Sequence, residues 1–214
     1  MKGQTQAVTA VMITGVVMGG IGTAYLWGVP MLEKRQVEQE VTDVEEDVLT
    51  LRDEIESVSE GGSGASSSVT IDADSIVVNT EDEYIQITNQ LDQSAEQGFT
   101  WSLLKGSSFQ NLSIGAGEYG IQGEDLPGVV AFQSIAGEGS SEITYRVEFR
   151  NLCSTSTGEL SKVDLQTDGQ ERASGSTTIS ITNNGDETSN TIASGGACEG
   201  RTTRTSTQVG IQLG

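Results

Sequence analysis

The chain has 214 residues, with 31 acidic side chains against 11 basic ones, a formal charge of −20 and no histidine. Such a charge repels a polyanionic partner such as DNA or an anionic lipid surface. Losing histidine removes the commonest general base, His-based metal sites and any Ser-His-Asp arrangement, so neither an enzyme nor a cofactor is expected. The acid excess, with only four lysines, suits a surface that stays hydrated in concentrated salt, where a Debye length of ~3 Å at 1 M screens self-repulsion. An acidic protein from an ordinary habitat is the alternative.

After residues 1–6 comes an uncharged run of 23 residues, 7–29, long enough to cross a hydrocarbon core of ~30 Å as a helix. Tyr25 and Trp27 lie near its far end, where amphipathic rings favour the membrane interface. Pro30 follows, and Glu33, Lys34 and Arg35 mark the return to water. A cleaved secretory signal fits poorly, because the run is too long and leads into another helix. Lys2 and Lys34-Arg35 flank the span on opposite sides, so the positive-inside rule leaves orientation open. The acidic, cysteine-containing remainder favours an outside location for the C-terminal part. Gly15 and Gly19 form a GxxxG, and Gly20 and Ala24 repeat the spacing, which permits close helix packing in lipid. Glycine is also common in membrane helices generally.

Lys2-Gly3-Gln4, a basic residue and glycine before a polar residue and a long apolar helix, resembles the class III signal peptide of archaeal type IV pilins and archaellins. The segment from Gln4 to Pro30 with Leu32 to Arg35 resembles haloarchaeal pilin-like proteins in particular. The resemblance implies that a membrane-embedded prepilin peptidase cuts between Gly3 and Gln4 and leaves the helix on the mature protein. Mature position five is then Val8, where bacterial type IV pilins usually carry glutamate and archaeal relatives often do not. Further implied are a structural or adhesive subunit of a surface filament and a cell-membrane location as a single-pass protein with its C-terminal domain outside. A membrane-anchored binding protein that never polymerises is the rival.

In 30–60, Val37, Val41, Val44, Val48, Leu51, Ile55 and Val58 are spaced alternately four and three apart, an unbroken heptad seam. With Val41, Val48 and Ile55 at a, the d positions are Val37, Val44, Leu51 and Val58. A parallel homodimer then sets Glu40 against Glu45 and Asp47 against Arg52. The seam is expected to pair either with like or related pilin subunits or with the protein's own C-terminal domain. Residues 61–68, all Gly, Ser and Ala, read as a flexible linker.

From 69 to 214 the chain turns to short runs rich in Val, Ile, Thr and aromatics between Gly, Asn, Asp and Ser, the pattern of an antiparallel β head, sandwich or barrel. Candidate strands are 69–71, 75–79, 84–88, 100–104, 110–114, 129–134, 143–150, 160–167, 177–182 and 207–213. The fold class is α+β: a long transmembrane helix, a coiled-coil-like stalk and a β-sandwich-like head. Cys153 and Cys198 are expected to form one disulfide if the head is extracellular, worth ~3–4 kcal/mol in the chain-entropy model; two free buried thiols are the alternative. Asn183 to Asp186 reads as a turn and 185–205 as a long polar loop. Asn111-Leu112-Ser113 is an N-glycosylation acceptor sequence. Asp72 with Asp74, and Glu81 to Glu83, lack the glycine and ligand spacing of an EF-hand loop and read as hydrated acidic surface; no metal is expected.

Overall fold

The computed structural model describes residues 2–91, 98–105, 119–137, 140–190 and 203–214. Its first element is one helix, α1 (Lys2–Glu60). It continues through Pro30, although proline removes one intrahelical bond. The apolar and acidic pieces expected from the sequence are thus one uninterrupted helix. The chain divides into two compact units, Met1–Thr42 and Asp43–Gly214, and the acidic part of α1 is shared between them. The first unit is helical throughout its described residues.

The second unit holds the last turns of α1 and ten strands: β1 (Ser66–Asn79), β2 (Tyr84–Leu91), β3 (Gly98–Lys105), β4 (Tyr119–Ile121), β5 (Gly128–Ala136), β6 (Ser141–Phe149), β7 (Asn151–Cys153), β8 (Leu160–Thr167), β9 (Arg172–Asn190) and β10 (Thr203–Leu213). They form a single sheet in the order β3-β5-β6-β2-β1-β9-β10-β8-β7-β4. Pairing is antiparallel except between β10 and β8 and between β4 and β7, so the sheet is mixed.

Alternation along the strands decides which face is buried. Ile143, Tyr145, Val147 and Phe149 of β6 are buried, and the residues between them are half-buried. Ile71 and Ile76 of β1, Ile85 and Ile87 of β2, Ile179 and Ile181 of β9, and Val209 and Ile211 of β10 are fully buried. The helix supplies Val48, Leu51 and Ile55, also at 0 % exposure, flanked by Val44 and Val58. One helix about 10–12 Å across covers only two or three strands spaced ~4.8 Å apart. Burial over seven or more strands therefore requires the sheet to curl. It does: β6 and β8 touch, although four strands separate them in the sheet, and Lys162 of β8 pairs with Glu83 of the β1–β2 turn. The sandwich expectation is corrected to this one curled sheet over a helix. Period-two alternation identifies a buried face but not the layer that covers it.

Local expectations also change. The linker 61–68 is a tight turn followed by the first residues of β1: Gly61 donates to Ser57 O at 3.0 Å, Ala65 donates to Gly62 O at 3.0 Å, and Gly62 and Gly64 take φ of 78° and 87°. Those backbone angles need glycine, so glycine here makes a corner, not a tether. The expected turn at Asn183 to Asp186 lies inside β9. Gln208 pairs with Gly185 and Val209 with Asn183, leaving Asn184 as the extra residue of a bulge. Part of the expected loop 185–205 is strand, because β9 runs to Asn190 and β10 begins at Thr203. Their Ser, Thr, Asp and Glu side chains look loop-like while the backbone carries the ladder. Strands 69–71 and 75–79 are one bulged strand, β4 and β7 were not expected, and 110–114 lies outside the described residues.

Candidate functional site

Two regions of the chain carry the candidate function, and each is described by itself. The first is the apolar stretch of α1. From Met12 to Leu32 the large apolar side chains project outward: Met12 69 %, Val16 76 %, Leu26 74 % and Trp27 81 % exposed. The helix is long and apolar enough to cross a membrane, with mean hydropathy 1.4 over its best window and none of that window buried. Leaving such side chains in water forfeits roughly 1.5–3 kcal/mol apiece relative to burial. The segment is chemically suited to lipid or to other apolar helices. Gly15 and Gly19 sit within it, and a Cβ built on either would meet nothing within 4 Å. The expected helix contact there thus has no partner within this chain among the described residues. Gly3 and Gln4 lie on the backbone of α1 near its start.

The second region is where α1 enters the sheet. Val41 is half-buried, whereas Val48, Leu51 and Ile55 are fully buried in their own chain. The heptad therefore marked a real apolar stripe, and its second half is covered by the protein's own sheet. Moving Val44, Val48, Leu51, Ile55 and Val58 from the sheet into a coiled coil would rebury them but uncover the sheet's own Ile71, Ile85, Ile87, Ile179 and Ile181, a loss of roughly 1.5–3 kcal/mol per side chain that weak e/g pairing does not return. Arg52, expected to face Asp47 of a second copy, is instead 2 % exposed. Its Nε donates to Asp53 Oδ1 at 2.8 Å and lies 3.9 Å from Glu56 Oε1. Glu56 Oε1 in turn accepts the Gly128 N–H at 2.8 Å. Burial raises the Glu56 carboxyl above its ordinary range, opposed by the Gly128 hydrogen bond and the Arg52 charge. Glycine is required at 128 because a Cβ there would sit 2.6 Å from Arg52 Cγ and 2.7 Å from Glu56 Oε1.

The end of α1 is held by a residue that the sequence reading placed in a turn. Asn183, 2 % exposed, donates through Nδ2 to Val58 O and Ser59 O, both at 3.1 Å, and accepts the Gly185 N–H through Oδ1 at 2.8 Å. Its backbone bonds Gly64 and Ala65. It thereby satisfies carbonyls that a helix terminus otherwise leaves without partners. Beside it lies an open cleft of about 420 Å³, lined by Glu56, Glu60, Glu124, Asp125, Lys162 and neighbours. Most of these charges are engaged in holding the fold. Asp125 Oδ2 accepts the Ile121 N–H at 2.7 Å and its Oδ1 lies 3.5 Å from Arg150, and Lys162 pairs with Glu83 and Asp164. Burial lowers the Lys162 ammonium below its usual range, with Asp164 opposing.

On the other face of the sheet Arg146 of β6 stacks between Tyr84 and Trp101, its guanidinium carbon 4.2 and 4.8 Å from the two ring centres. Its Nε donates to Gln86 Oε1 at 3.0 Å. Such stacks bind a cation through the ring quadrupoles and here pin the polar face of β2, β3 and β6 together. Among the described residues no three Cys, Asp or Glu side chains converge as metal ligands would. Cys153 is buried at the end of β7, and no described cysteine is free. Its expected partner Cys198 and the acceptor Asn111 lie outside the described residues. Compared with protein-family models, curated proteins and solved structures, the chain matches none.

Proposed function

We propose that the chain is a pilin-like surface subunit, anchored by α1 in the cell membrane before assembly into a type IV-like filament, and structural or adhesive rather than enzymatic. The observation that carries this reading is the continuity of α1. One helix bears outward-facing apolar side chains over 12–32 and, further along, the buried seam of a β head. In such a subunit the apolar stretch passes from lipid to a core of like or related pilin helices, and Gly15 and Gly19 allow close approach. Prepilin peptidase cuts between Gly3 and Gln4. The head faces outward, with a Cys153–Cys198 disulfide and a glycan acceptor at Asn111. Its acidic surface suits concentrated salt, as expected of a haloarchaeal source.

A second reading has one observation in its favour. The seam Val48, Leu51 and Ile55 is used up within its own chain, which removes one surface through which copies were expected to pair. A single-pass binding protein that never polymerises needs no such surface. Mass spectrometry of the N-terminal peptide from protein isolated from its native membrane separates the two. A start at Gln4 is expected; an intact Met1 or Lys2 start refutes peptidase processing and leaves the tethered binding protein.

A further inference from the structure

Where the apolar stretch of α1 ends, its side chains are arranged in a way that burial within the chain does not use. Successive helical residues turn by about 100°, so Trp27, Met31, Lys34 and Arg35 share an arc of roughly 100°. Trp27 is 81 % and Met31 63 % exposed, and the Lys34 side chain is 76 % exposed. Among the described side chains Lys34 has only a long i,i+4 contact, 3.9 Å, with Glu38, itself 65 % exposed. Arg35 is exposed and pairs with no acid among the described residues. Between Lys2 and Arg52 these are the only two cations, and six acids follow them before Arg52. Helical side chains lean toward the N-terminus, which points both cations back toward Trp27. They stand ~10–12 Å beyond Trp27 along the axis at 1.5 Å per residue, within reach of a headgroup layer by snorkelling.

We propose that Lys34 and Arg35, with Trp27 on the same helix face, form a site for the phosphate of an anionic phospholipid that fixes the depth of α1 in the bilayer. The inference rests on the membrane reading of α1 and names the partner of its outer end. Charge complementarity selects the occupant. An acidic chain held at a membrane by one neutral helix is pushed away from an anionic leaflet, and these two cations are placed where contact with that leaflet offsets the push. Trp27 marks the interface below them.

The test uses the full chain in vesicles of phosphatidylcholine with phosphatidylglycerol, followed by native mass spectrometry of the lipids it retains. In ~0.15 M salt, with about five-fold per cation, the wild type is expected to retain phosphatidylglycerol roughly 30-fold above its mole fraction. The Lys34→Gln/Arg35→Gln pair should lose that preference while staying inserted. Equal retention by wild type and variant overturns the proposal and leaves membrane anchoring standing. Unchanged lipid retention with loss of self-crosslinking in the variant also overturns it, in favour of a second copy as occupant. Extraction of the wild type from vesicles by alkaline wash refutes the membrane reading and this proposal together.

Discussion

Asn183 joins the end of α1 to β9, so its replacement tests that joint directly. Replacing it by alanine removes two hydrogen bonds to the last carbonyls of α1 and one from Gly185. Val58 O keeps a partner, since Gly61 N donates to it at 3.2 Å. Ser59 O and the Gly185 N–H lose the bonds that Asn183 supplied. At about 1–1.5 kcal/mol per neutral bond, and more for a buried group left unsatisfied, the loss comes to roughly 3–4 kcal/mol. For a head of this size that lowers Tm by ~6–16 °C. Asn183→Asp keeps the shape but exchanges the donor for an anion facing carbonyls at the negative end of a helix. It should therefore be worse than alanine at neutral pH and recover part of the loss in acid, where the carboxyl regains a proton to donate. Urea melts followed by circular dichroism, at fixed salt on the full chain in detergent, measure both. A loss under ~0.5 kcal/mol for alanine, or an aspartate variant equal to wild type at neutral pH, would refute the capping role.

Two further outcomes are expected. Leu51→Ala, at a fully buried position, should cost about 2–5 kcal/mol, with a Tm that does not change with protein concentration; a concentration-dependent Tm would restore the coiled coil. Burial raises the carboxyls of Glu45, Asp47, Glu56 and Glu148. Because each value is higher folded than unfolded, stability is greatest in acid and declines as pH rises from the ordinary values of 4.5 and 3.8 through the folded ones. Thermal melts should thus show a Tm that falls from pH 5 to pH 7, with Glu56→Gln reducing the slope, and a Tm that stays level or rises over that interval would contradict the assignment.

The sequence spoke most clearly where physics demands a long uniform pattern. A charge-free run of 7–29 can only be a segment shielded from water or exposed at cost, and a 4-3 spacing of Val, Leu and Ile can only be a buried stripe. Neither pattern names what does the covering, which is why the seam was open between a second copy and the chain's own sheet. Arg52 illustrates the deeper gap. A lone arginine in an acidic helix reads as a solvated charge, and its burial depends on Gly128, 76 positions later, where only the missing side chain leaves room. Asn183 was hidden differently, because Asn-Asn-Gly is turn chemistry and the bulge at Asn184 uses the same residues inside a strand. The strand β6 was legible from its alternation and β5 from its run of Val, Ala and Phe; β9 and β10 near 185–205 were not, because their polar side chains carry no such signal.

The hydrogen bond between Asn183 and Ser59 O spans 124 positions of chain, and this sets an order of events. A ribosome adding ~5–20 residues per second takes on the order of 10 s to pass from the end of α1 to β9. Through that interval Val48, Leu51 and Ile55 exist without the strands that will cover them, and pairings so distant in sequence close late and slowly. The acids interleaved with the seam keep the waiting segment dispersed. A substitution that delays β9 therefore harms yield through time spent half-made, before any effect on the finished protein is felt.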